Sequence, residues 1–181
     1  MHYQLIRGRR KGSALLEFTL VGIPLIFLWL SVVQMGIGMW QYHTIQYAVK
    51  MATSYASVHG ATCASPNSCF VNVSDVVNMF QTNAIGVPMS KVALTLTSQS
   101  GASVTCSAVS TCSGNASWST TWPPTASNDN AVGKWIKIRA DYTFNSSLAM
   151  FLPGSGSVHF GSNVGAGAFD FPGYSYQLIQ F

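Results

Sequence analysis

The chain has 181 residues, of which 48% are hydrophobic and 8% are charged, and its formal net charge is +4. Four of the nine basic residues lie between positions 7 and 11, so the rest of the chain is nearly neutral. This distribution gives no support to nucleic-acid binding, because it leaves no clustered basic face.

The first twelve residues form a short polar leader that ends in a basic cluster. Arg7, Arg9, Arg10 and Lys11 stand just before Gly12. Basic residues that flank the amino end of a membrane helix remain in the cytoplasm. We therefore expect a cytoplasmic leader over 1–12, and an exported portion, in the periplasm or beyond, after the membrane segment.

A single long helix is predicted over 13–60, and its first half suits a membrane. Ser13 is a good cap residue. The uncharged segment 18–40 has 23 residues, which span about 35 Å as a helix. That length crosses the hydrocarbon core of a bilayer. Pro24 removes one backbone donor and is expected to kink the helix, which membrane helices tolerate.

The second half of this helix is amphipathic. Between positions 41 and 58, one face carries residues at helical spacing, namely Ile45, Ala48, Val49, Ala52, Tyr55 and Ala56. Such a face can carry a globular domain. Gly60 is a natural stop for the helix.

Beyond the helix, residues 61–181 are predicted to form an exported domain, and the fold class of the chain is α+β. Ser74 is expected to cap a second short helix at 75–85. Alternation predicts an antiparallel sheet, with strands at 91–97, 103–109, 132–144, 158–160 and 166–171 and an edge strand at 174–181. The polar segment 113–130 is expected to be an exposed loop, in which Trp118 and Trp122 form a contact patch or pack partly against the sheet.

Four cysteines lie beyond the membrane segment as two equally spaced pairs, Cys63 with Cys69 and Cys106 with Cys112. An even count in an exported domain favours disulfides. Four cysteines allow three connectivities. We prefer the two local bridges, because each closes a short loop of small residues. A zinc site is disfavoured because its ligands usually sit closer together and recruit nearby histidines.

No catalytic constellation is found, and no cofactor or metal site is expected. The five acids include no close pair of the kind that glycosidases use. The four histidines are scattered, and neither H-E-x-x-H nor G-x-S-x-G occurs. The residues therefore do not support an enzyme.

Glu17 is the only glutamate, and it stands at the edge of the apolar segment. A carboxylate at this position is costly, by a few kcal/mol or more at the centre of a bilayer. Its placement suggests a role, although an ordinary signal anchor with Glu17 at headgroup depth is the simpler alternative. A cleaved secretory signal is disfavoured, because the apolar run is too long and no A-x-A follows it.

The order of basic residues, Gly12, four small or apolar residues from Ser13, and then Glu17-Phe18 before a spanning helix resembles a type IV prepilin processing site. The acid followed by an aromatic residue is most similar to the Tad (tight adherence) branch. The small residues and tyrosine of 44–58 also resemble TadE-like minor pilins, or pseudopilins. The resemblance covers 9–60 well and 132–153 more loosely, while Ser13 replaces the phenylalanine common in other type IV pilins.

The resemblance implies a structural subunit of the bacterial inner membrane. A prepilin peptidase would cut between Gly12 and Ser13, and Glu17 would be the fifth residue of the mature chain. The implied partners are that peptidase, other Tad pilins and pseudopilins, and the inner-membrane assembly platform, in a system serving pilus assembly, surface adherence or secretion. The alternative is an uncleaved bitopic membrane protein with an exported protein-binding domain.

Overall fold

The computed structural model describes residues 11–63, 69–144, 158–160 and 173–181. The chain divides into two units, Met1–Ile37 and Gly38–Phe181. The basic residues at 7–10 and the strand expected at 166–171 lie outside the described residues.

The first helix, α1, covers Lys11–Ser57 and contains Pro24. It begins before the expected cap at Ser13 and ends before Gly60. The prediction that Gly60 ends the helix is therefore wrong. Instead, a Cβ at Gly60 would clash with the backbone oxygens of Phe181 and Asn130. A glycine is therefore needed at this position because two other segments of the chain approach its backbone closely.

In the unit Met1–Ile37, the described part of α1 exposes its apolar side chains. The large apolar residues from Leu15 to Ile37 are 37–73% exposed. One described helix is long and apolar enough to cross a membrane, with a mean hydropathy of 2.1 and none of its most apolar window buried. These features are consistent with a single-pass membrane protein.

The described part of Gly38–Phe181 adds a second helix and seven strands to the carboxyl-terminal end of α1. In chain order they are β1 (Val71–Asn72), α2 (Val73–Asn83), β2 (Val92–Ser98), β3 (Ser103–Cys106), β4 (Thr121–Trp122), β5 (Trp135–Phe144), β6 (Val158–Phe160) and β7 (Gly173–Leu178). Short 3-10 turns occupy Met89–Lys91 and Val109–Gly114. The α+β prediction is confirmed.

The main sheet is antiparallel and is organised around β5. Its order is β3-β2-β5-β6, and β7 pairs with β5 on the side away from β2. Leu94 of β2 lies opposite Ala140 of β5, and Leu96 lies opposite Ile138. A second, two-stranded sheet pairs β1 with β4.

The core of this unit lies between the two helices and one face of the main sheet. The alternation predicted for β2 and β5 is confirmed, since both strands bury every second residue. Full burial of one large aliphatic side chain stabilises a fold by about 1.5–3 kcal/mol. The core residues include Ile45, Ala48, Val49, Ala52 and Ala56 of α1, Val76, Val77 and Phe80 of α2, and Leu94, Leu96, Ile136 and Ile138 of the sheet.

The start of α2 differs from the prediction that Ser74 is its cap. The cap residue is Asn72, and its backbone N–H donates to the carboxylate of Asp75 at 2.9 Å. An acid at the third helical position satisfies a free donor at the helix start. Ser74 instead lies inside the first turn, because the β1 strand leads directly into the helix.

The segment 113–130 is not an exposed loop throughout, so that prediction is wrong. Trp122 lies in β4 opposite Val71 and is 1% exposed, while Trp118 packs against the core. Two backbone bonds, from Val73 to Thr120 and from Ser74 to Trp118, hold the segment against the start of α2. The two tryptophans therefore do not form an exposed contact patch.

Candidate functional site

The amino end of α1 carries the residues singled out by sequence. Gly12, Ser13, Glu17 and Phe18 all lie in its first turns. Ser13 and Glu17 are four residues apart, so they lie on the same side of the helix and about 6 Å apart along its axis. Lys11 is the first residue of α1, and the other three basic residues fall outside the described part of the chain.

Phe18 and Gly22 form a close pair on this part of the helix. A Cβ at Gly22 would stand 3.5 Å from the ring of Phe18. Phe18 is 71% exposed, and Gly22 adds no side chain beside its ring. Small residues in membrane helices let other helices approach closely.

The polar groups along the apolar segment are satisfied within the helix. The hydroxyl of Thr19 donates to the carbonyl of Leu16 at 3.0 Å, and that of Ser31 donates to Phe27 at 2.8 Å. A helix in lipid must satisfy its polar groups internally because no water is available to them. These bonds leave the segment suited to lipid or to other apolar helices.

Both predicted cysteine pairs lie at disulfide distance. The Cα atoms of Cys63 and Cys69 are 5.3 Å apart, and those of Cys106 and Cys112 are 5.1 Å apart. Cys106 and Cys112 are each 2% exposed and belong to the core. The second pair therefore places the turn Val109–Gly114 within bridging distance of the end of β3.

Sequence reasoning missed the role of Asp129, which accepts more side-chain hydrogen bonds than any other acid that the structure describes. It is 2% exposed, and its carboxylate accepts bonds from the hydroxyls of Ser98 at 2.6 Å and Ser127 at 2.9 Å. It also accepts from the hydroxyl of Ser100 and from the backbone N–H of Ser100 at 3.2 Å. Asp129 thereby joins the segment after Pro124 to the turn between β2 and β3.

The pKa of Asp129 reflects two opposing effects. Burial raises the pKa of this carboxyl, but the bonds from Ser100, Ser98 and Ser127 outweigh burial and hold the pKa below its ordinary value. Hydrogen bonds to the ionised form favour that form. Ser127 is close to Asp129 in the sequence, but Ser98 and Ser100 lie 31 and 29 residues earlier, so the spacing of residues gives no signal that these serines converge on the acid.

Side-chain bonds also attach α1 to the sheet within this unit. The hydroxyl of Tyr142 donates to Gln41 at 2.9 Å, and the amide of Gln177 donates to Ser54 at 3.0 Å. Burial raises the pKa of Tyr142, and the bond to Gln41 partly offsets the rise. These contacts fix the domain to the carboxyl-terminal part of the helix.

The described residues hold no group of three His, Cys, Asp or Glu side chains that could bind a metal ion. The Arg139–Asp141 ion pair, at 2.7 Å, is partly exposed and lies on the sheet face opposite the core. The described residues thus comprise an apolar helix, bonded internally and carrying one acid near its start, and a domain with two cysteine pairs at disulfide distance.

Residues 12–53 match the family model described as TadE-like protein. The match begins at the glycine before the expected cut and extends along most of α1. The predicted resemblance is confirmed over that segment. No curated protein and no solved structure matches the chain.

Proposed function

We propose that this protein is a minor pilin (pseudopilin) of a Tad-type pilus or secretion apparatus. The observation that carries the proposal is the TadE-like match over 12–53, which includes the part of α1 from Leu15 to Ile37 whose large apolar side chains are exposed. The match supports a pilus-associated protein of the Tad system. The processing, membrane orientation and partners below extend that statement.

A prepilin peptidase cuts the precursor between Gly12 and Ser13. The support is the spacing of the motif, since four residues, from Ser13 to Leu16, separate Gly12 from Glu17. The basic residues at 7–11 keep the leader in the cytoplasm, where the positive-inside rule places them. The domain after the helix then lies in the periplasm or in the pilus.

Glu17 acts in assembly by offering its carboxylate to a cation in the membrane. After cleavage, the new amino group at Ser13 is one helical turn away, on this subunit or a neighbour. Pairing offsets much of the cost of removing a carboxylate from water. Apolar helix faces have little positional preference in lipid, so such a pair fixes the axial register between helices.

The exported domain fits a compartment outside the cytoplasm. Its two cysteine pairs lie at disulfide distance, and disulfides persist in oxidising compartments. The partners are other Tad pilins and pseudopilins and the inner-membrane assembly platform. Apolar residues that are exposed along α1 provide the surface for those contacts.

The test is replacement of the chromosomal gene in the native host by Glu17→Gln, with the wild-type allele as control. The amide keeps the shape of the side chain and removes its charge. We expect normal membrane insertion and at least partial cleavage, but no incorporation into the pilus complex and loss of piliation. Wild-type piliation by a correctly cleaved variant would refute the role of the charge, and normal piliation after gene deletion would refute the function.

A further inference from the structure

In the part of the chain that the structure describes, β7 lies at an edge of the main sheet. Among the described residues it pairs with β5 alone. Ile179, just after the strand, donates its N–H to Lys134 and accepts from Gly133, whereas the N–H of Gln180 points away, to Ser57. Antiparallel strands alternate the direction of their backbone groups at each residue. The N–H and C=O groups of Tyr174, Tyr176 and Leu178 therefore face away from β5.

Within the described residues, no other strand covers these backbone groups. Natural edges are blunted by proline, charged side chains or bulges. The β7 sequence, GYSYQL, contains neither proline nor charge, and its register with β5 is continuous over six residue pairs. Tyr174, Tyr176 and Leu178 are each 54% exposed. Such an edge is a template for another strand.

A groove runs beside this edge. It has a volume of about 440 Å³ and is lined by Gln46, Tyr47 and Lys50 of α1 and by residues 174–177 of β7. A helix and an open strand are thus the two walls of one channel. An extended peptide that pairs with the strand obtains main-chain hydrogen bonds from one wall and side-chain contacts from the other.

The side chains around the groove specify the chemistry of the occupant. Lys50 is exposed, and in the described part of the chain the one salt bridge is that of Arg139 with Asp141. On the opposite face, Tyr176 stacks on Trp135 with ring centroids 5.4 Å apart, and Lys137 lies over the ring of Tyr174. The rings of Tyr174 and Tyr176 favour β-branched or aromatic neighbours on a strand added beside β7.

We propose that the edge of β7 binds an extended segment of a partner protein, which adds a sixth strand to the main sheet. That segment carries a carboxylate on its helix-facing side, toward Lys50, and β-branched or aromatic residues on its other side. This binding site belongs to the exported domain and does not depend on the role of Glu17 in assembly.

The test uses the full-length protein in lipid nanodiscs and a fluorescently labelled, end-blocked octapeptide of alternating valine and threonine with one central glutamate. We expect saturable binding by fluorescence anisotropy. Lys50→Glu should weaken it about fivefold, the size expected of a surface ion pair, and a peptide with lysine in place of glutamate should restore it. Lys91→Glu, an exposed lysine outside the groove, makes the same charge change and should leave binding unchanged.

The backbone contribution is tested with the same peptide after N-methylation of every second amide. The methylated amides are those whose N–H groups face β7 when the glutamate side chain faces Lys50. Binding should be lost. Equal binding by the methylated peptide, or no response to Lys50→Glu, would overturn the proposal. The variant Tyr176→Cys tests whether a second copy of the chain occupies this edge. A cross-linked dimer of this variant that still forms in the presence of the peptide would also overturn the proposal.

Discussion

Replacement of Asp129 by asparagine should destabilise the carboxyl-terminal domain by about 3 kcal/mol at neutral pH. The carboxylate receives three serine hydroxyls and the backbone N–H of Ser100. Hydrogen bonds to a charged group contribute about 1.5–3 kcal/mol each. The amide of Asp129→Asn keeps one acceptor oxygen, and the serine hydroxyls can rotate to accept from its new donors, so the loss is smaller than the full sum.

The pH dependence gives this prediction a second, independent signature. The pKa of Asp129 is lowered in the folded protein, so its stabilising contribution is present above the unfolded value of about 3.9. It is lost as the pH falls through the folded value. The difference in unfolding free energy between the wild type and Asp129→Asn should therefore be constant near neutrality and shrink below about pH 4.

The assay is urea unfolding of the detergent-solubilised protein, followed by tryptophan fluorescence, at several pH values. Trp122 is buried in the same domain and reports its unfolding. The matched control is Asp141→Asn, whose side chain is 33% exposed in an ion pair and should cost at most about 1 kcal/mol. Equal costs for the two variants, or a cost for Asp129→Asn that grows on acidification, would refute the reasoning.

Three further changes test other parts of the structure. Gly60→Ala should destabilise the domain by about 1–3 kcal/mol through overpacking. Gly114→Ala is the control and should not destabilise it, because a Cβ at Gly114 has no neighbour within 4 Å. The two variants are compared by thermal unfolding. Replacing Cys106 and Cys112 by alanine should lower the free energy of unfolding by more than about 2 kcal/mol, because it removes the loop-closure contribution and leaves a cavity in the core. The same change at Cys63 and Cys69, a partly exposed pair of equal loop length, should lower it less in the same assay. Peptide mapping without reduction should show both local bridges, and a cross-link between the pairs would contradict them.

Much of the fold follows from local patterns in the sequence. Each of two patterns shows which side of a single element faces the core. These patterns are the period-two alternation in β5 and the helical spacing from Ile45 to Ala56. The structure buries those faces as predicted. The amino-terminal motif was also accessible to sequence, because its residues are adjacent along the chain and need no tertiary contact to be recognised.

The parts that sequence missed depend on contacts between distant segments. Trp122 is buried because β4 pairs with β1, about fifty residues earlier in the chain, and polar composition alone predicts an exposed loop there. Asp129 accepts bonds from Ser127 and from two serines at the distant β2–β3 turn, and Gly60 is approached by the backbone of Phe181. None of these contacts has a signature in the spacing of neighbouring residues.

The most direct test of the central claim is the intact mass of the protein extracted from the membranes of its native host. A processed pilin subunit should begin at Ser13, with the mass of residues 1–12 removed. Gly12→Val should leave the precursor uncut, because the added side chain blocks a peptidase subsite that fits glycine. A mature form that begins at Met1, or at His2 after removal of the initiator, would contradict processing as a pilin and favour an uncleaved bitopic membrane protein.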